Sequence, residues 1–73
     1  MAQLSHSEYD RLERAIAEGR RVCVLRQGRD IVVLPLRLRY SAGREFLEAT
    51  HPATGEGLVF LLDEVDAIEI VQW

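Results

Sequence analysis

The chain has 73 residues, room for one small domain and too few for two. With 48% hydrophobic and 29% charged residues it is neither a disordered tail nor a membrane protein by composition; its longest apolar run, Ile31 to Leu36, is far short of the roughly 20 residues that span a bilayer. All nine basic residues are arginines between Arg11 and Arg44; the five acids of the first 44 residues leave a surplus of four positive charges there, whereas the seven acids from Glu45 onward meet no base at all.

Ser5-His6-Ser7-Glu8 has the form of a capping box, in which the Ser5 hydroxyl accepts from the Glu8 amide and the Glu8 carboxylate from the Ser5 amide. Leu4 before the cap and Tyr9 inside the helix have the spacing of a hydrophobic staple. Tyr9, Leu12, Ala15 and Ile16 then follow helical spacing and predict one apolar stripe. Glu8 with Arg11, and Asp10 with Arg14, are expected to pair along the exposed side. Gly19 supplies the left-handed residue that ends the helix, which is predicted over about 6–18.

Beyond Gly19 the apolar period shortens to two. Arg21 to Gln27 reads as a strand apolar on both sides, with Val22 and Val24 against Cys23 and Leu25. Gln27-Gly28-Arg29 reads as a tight turn and Asp30 to Tyr40 as a long second strand. Its Pro35 cannot donate to a ladder, so an edge position or a bulge is expected there. Past Pro35 the alternation places Leu36, Leu38 and Tyr40 on one face and Arg37 and Arg39 on the other. A turn at Ser41-Ala42-Gly43 leads into a third strand, Arg44 to Thr50, and a loop from His51 to Glu56 into a fourth, Leu58 to Leu62. Asp63 to Asp66 suits one 3₁₀ turn capped by Asp63, and Ala67 to Val71 is the fifth strand. One N-terminal helix before five short antiparallel strands makes a mainly β chain. The last two strands, joined by a 3₁₀ turn, predict a five-stranded SH3-like or Sm-like small barrel over about 21–72, in a single domain of residues 1–73. Closure of such a barrel removes the free edges of an open sheet.

Residues able to do chemistry are sparse. His6 and His51 fall on different elements and read as surface residues, and Cys23 reads as a small packed hydrophobe. A single cysteine forms neither an internal disulfide nor a structural zinc site, and no secretory leader is visible; both point to a reducing cytoplasm. Asp63, Glu64 and Asp66 lack the alternating spacing and the glycine of a calcium loop. Glu45 and Glu48 fall on opposite faces of a strand and so are not a catalytic pair. With no Ser/His/Asp arrangement and no glycine-rich phosphate loop, a non-enzymatic chain without metal or cofactor is expected.

The arginines form the one suggestive constellation. Arg37 and Arg39 share a strand face, Arg44 joins them across the second turn, and Arg26 and Arg29 flank the first. Arginines grouped in this way hold phosphates through paired hydrogen bonds, and Tyr40 and Phe46 are the aromatic neighbours that base stacking needs. Against this, Glu45, Glu48 and Glu69 on adjoining strands can neutralise the same arginines at roughly 0.2–1 kcal/mol per cross-strand pair. Two functions stand open. One is recognition of a nucleotide or single-stranded nucleic acid through Arg37, Arg39, Tyr40, Arg44 and Phe46. The other is protein contact, a homodimer included, driven by the charge split and anchored by Trp73. Neither involves a membrane.

From Asp30 to Val71 the chain resembles the WYL domain, a small Sm/SH3-like module of bacterial regulators. The segments that carry the resemblance are Val33-Leu34-Pro35-Leu36-Arg37-Leu38, Glu45-Phe46-Leu47-Glu48-Ala49, Thr54-Gly55-Glu56 and Phe60-Leu61-Leu62-Asp63-Glu64-Val65. The preceding Arg14 to Gly19 and Val22-Cys23-Val24 fit the same order. The resemblance implies a small barrel and a sensory or binding role. Of the three residues that give the family its name, Leu47 agrees, Glu45 replaces the tryptophan and Phe46 the tyrosine. Glu64 stands where the family carries an arginine expected to meet an anionic ligand, a charge reversal that opposes phosphate binding at that position.

Overall fold

The computed structural model describes residues 4–71. Helix α1 (His6–Glu18) begins as its sequence dictates: the Glu8 amide donates to Ser5 Oγ at 3.2 Å and the Ser5 amide to Glu8 Oε1 at 3.0 Å. Gly19 closes the helix at φ 68°, a conformation that a side chain would strain. Leu12 and Ala15 are fully buried, with Leu4, Tyr9 and Ile16 packed around them. The expected pairs along the helix do not form. His6 meets Asp10 at 3.5 Å, while Glu8 and Arg11 each bond to the backbone of Ile68 in the last strand.

Five antiparallel strands follow: β1 (Val22–Arg26), β2 (Arg29–Ser41), β3 (Arg44–Thr50), β4 (Gly57–Leu61) and β5 (Ala67–Ile70). They are ordered β4-β3-β2-β1-β5 in one sheet. Both hairpin turns are shorter than predicted, because Arg29 and Ser41 are already paired in the ladder. Each turn then has two central residues at positive φ, Gln27 (53°) with Gly28 (75°) and Ala42 (53°) with Gly43 (76°), the geometry whose twist matches that of the strands.

Pro35 is accommodated by a bulge in β2, where the register with β3 shifts between Pro35 and Arg37. The extra residue carries Leu36 out of the core-facing row: Pro35 is buried, Leu36 is 51% exposed, and Leu38 returns to pack on the core. The bulge therefore breaks the expected alternation at its first residue.

Inward-facing Val22, Val24, Val33, Leu47, Ala49, Phe60 and Ile68 join Leu12 and Ala15 in one core, and among the described residues no polar or charged side chain is buried. A 3₁₀ turn, Leu62–Glu64, joins β4 to β5 and buries Leu62; Val65 follows it into the core. It starts one residue earlier than predicted, so Asp63 lies inside the turn and makes no capping bond. The ladder ends at β4 and at β5 with no pairing between these strands. The result is a small barrel-like globule with a seam, one side of which is β4.

Candidate ligand-binding site

The outer face of the β2–β3 hairpin carries most of the arginines singled out in the sequence. Arg37 Nε donates to Glu48 Oε1 at 2.6 Å and Arg39 Nε reaches Glu48 Oε2 at 2.8 Å, because Arg37 and Glu48 are directly opposed in the ladder. The Arg37 hydrogen bond, followed by the charges of both arginines, holds the Glu48 carboxyl below the usual carboxylate range. The Arg39 guanidinium also lies over the Phe46 ring at 5.5 Å. Strand alternation puts Arg44 on this same face.

Tyr40 does not join the group. It opposes Glu45 on the other face and is 73% exposed. Glu45 is engaged elsewhere: it accepts the Tyr9 hydroxyl proton, a bond that pushes the tyrosine up to about 12. The five residues proposed from sequence thus divide into four on one face, two of them tied to one carboxylate, and one on the opposite face. Trp73 lies outside the described residues.

A second constellation forms along the seam. Arg26, Gln27, Arg29, Asp30 and Ile31 of the β1–β2 hairpin face Leu58, Val59 and Phe60 of β4 across a groove of about 630 Å³. That volume is of the order of small-molecule sites, roughly 300–1,000 Å³. Arg26 and Arg29 are directly opposed at the hairpin's end, an arrangement of like charges that disfavours the bare fold. The Arg26 guanidinium lies 5.5 Å over the Phe60 ring and 4.0 Å from Glu64, whereas Arg29 is exposed and has no carboxylate at ion-pair distance among the described residues. The hairpin is anchored from below: Asp66 accepts from the Gln27 amide at 3.1 Å, and its own amide donates to the Leu25 carbonyl at 2.8 Å. Ile31 and Val59, 37% and 57% exposed, give the groove apolar walls.

Two of the three acids of the 3₁₀ turn region are thus explained by the hairpin, Glu64 through Arg26 and Asp66 through the Gln27 amide. Arg26 and Arg29 were visible in the sequence as flanking the first turn. Their inward direction follows from Val24, two residues before Arg26 on the same strand face. That β4 would form the opposite wall had no local signal.

No protein-family model matches the chain, and no curated protein matches it in sequence. Among solved structures it is similar to proteasome accessory factor B/C (PafBC) of Arthrobacter aurescens, with a TM-score of 0.78 and 22% identity, over 100% of this chain and 13% of that one. The chain therefore shares its fold with a small part of a longer protein.

Proposed function

We propose that the chain is a WYL-like binding module of the regulatory kind, non-enzymatic, whose seam groove takes an anionic ligand carrying a planar group: a nucleotide or a short single-stranded nucleic acid. One observation carries this reading. Two directly opposed arginines stand at the mouth of a groove with apolar walls, and among the described residues only one of them has a carboxylate within 4.0 Å. A phosphate between the two guanidinium groups relieves their repulsion and accepts paired hydrogen bonds, while a base lies against Ile31, Val59 and the guanidinium plane. The fold shared with a regulator supports the general role. The outer arginines serve this ligand less well, since Glu48 already occupies Arg37 and Arg39.

Glu64 is the competitor. Its carboxylate occupies the space beside Arg26 that a phosphate needs, so Glu64→Gln is expected to tighten binding several-fold and Arg26→Ala to weaken it about ten- to a hundred-fold, the scale of a lost charged hydrogen bond. Titration of mononucleotides and short oligonucleotides, followed through amide chemical shifts, checks this. Shifts are expected at Arg26, Arg29, Ile31 and Val59, fading as salt rises. Shifts confined to Arg37, Arg39 and Arg44 would return the site to the outer hairpin face, and none with any nucleotide or oligonucleotide would end the reading.

A further inference from the structure

The outside of the sheet carries two unlike faces that meet along β2. On one, the rows Ala67–Leu25–Asp30 and Glu69–Cys23–Val32 run across β5, β1 and β2. Cys23, Leu25 and Ala67 floor a dent of about 160 Å³ whose rim bears Asp30 and Glu69, both exposed. Burial first, and then these two carboxylates, push the Cys23 thiol up. Arg21 lies at the far end of this face, beside Val32. On the other face, the rows Arg37–Glu48–Val59 and Arg39–Phe46–Leu61 run across β2, β3 and β4, with Leu36 thrown outward by the bulge and Arg44 beyond. Here one carboxylate serves two arginines, so positive charge remains in excess, and Leu36 and Val59 are 51% and 57% exposed.

We propose that the chain docks on itself head to tail, the acid-rimmed face of one copy receiving the arginine-bearing face of the next. Each face is apolar at its centre and charged, with opposite sign. An arginine of the incoming copy finds two carboxylates at the rim and an apolar bed for its methylene stem on Leu25, Cys23 and Ala67. Where one acid-rimmed face meets one arginine-bearing face the contact is heterologous, leading to a ring or an open chain. These faces adjoin the seam groove and share Asp30 and Val59 with it, and sedimentation and ligand titration read the two proposals separately.

Sedimentation across a concentration series tests it. In low salt the average mass is expected to rise with concentration, and in high salt to return to that of the monomer. Arg37→Glu/Arg39→Glu and Asp30→Arg/Glu69→Arg chains, each checked for fold by circular dichroism, are each expected to stay monomeric. Their equimolar mixture is expected to form a heterodimer, because each retains the face the other has lost. If the Arg37→Glu/Arg39→Glu chain does not fold beside Glu48, Arg44→Glu reads the same face, with about tenfold weaker association expected. A wild-type chain that stays monomeric at every concentration overturns the proposal, including the case in which its dent accepts an arginine-rich peptide instead. So do charge-reversed chains that associate like the wild type, or an inert mixture.

Discussion

At the β5 end of the ladder, α1 lies across the strand and satisfies its backbone: Glu8 Oε2 accepts from the Ile68 amide and Arg11 Nη1 donates to the Ile68 carbonyl, both at 3.3 Å. At the other end, β4 (Gly57–Leu61) carries no charge and no proline, and among the described residues no side chain bonds to its backbone. Sheets of this size protect an edge by covering it, charging it or bending it away. Here one edge is covered from within the chain and the other opens onto the seam groove beside Arg26 and Arg29. The unprotected edge is the one beside the candidate site, and the protected one serves stability.

That contrast breaks most severely at Leu12, fully buried between α1 and the sheet. Leu12→Ala is expected to cost about 2–5 kcal/mol, enough to loosen the helix from β5 and unfold much of so small a domain, as read by denaturant titration. A smaller loss, about 1 kcal/mol by the same measurement, is expected for Glu8→Gln, which weakens the helix cap and the Ile68 bond together. Glu8 also sets a pH dependence. The Ser5 amide above all, then the Ser5 hydroxyl, the Ile68 amide and Arg11, hold its carboxyl below the usual range. A carboxyl lowered on folding contributes its stability in full above its unfolded value and loses it as pH falls through the lowered folded value. Glu8→Gln should remove that acid limb from a stability-against-pH series. The β4 edge should respond least. Val59→Lys, at an exposed position, is expected to move stability by no more than about 0.5 kcal/mol, while adding the charge that guards an edge against unwanted pairing in an aggregation assay.

Much of this architecture is legible along the chain because its signals are local. The capping box, Gly19, the period of two after it and the glycine turns each act within a few residues, and all appear in the structure. Pro35 announced a bulge for the same reason, since a missing amide disrupts whatever ladder surrounds it. What the alternation could not carry past the bulge was the direction of Leu36: one added residue puts it outside, and only the register with β3 shows where that residue sits.

The candidate site was legible in part. Arg37 opposite Glu48 follows from hairpin register once the Ala42–Gly43 turn is fixed, and neutralisation by that acid was foreseen. Glu45 was expected to pair with an arginine and instead takes the Tyr9 hydroxyl, because the fold brings Tyr9 of α1 to the start of β3, a contact between residues far apart in sequence. The groove has no signal along the chain for a similar reason: Phe60 and Arg26 meet only because the sheet curls.

The opening charge split shows the same division. That arginines crowd the first part of the chain and acids the second is a property of the sequence, as are the helix, the strands and their inward residues, since propensity, capping and periodicity act over a few positions. Which arginines lose their freedom to an acid and which stay available depends on distances across the folded chain. Pairing of β2 with β3 set Glu48 between two of them, and curvature of the sheet left Arg29 open beside an apolar groove. A Coulomb interaction falls off with separation in space, and separation in space is what folding assigns.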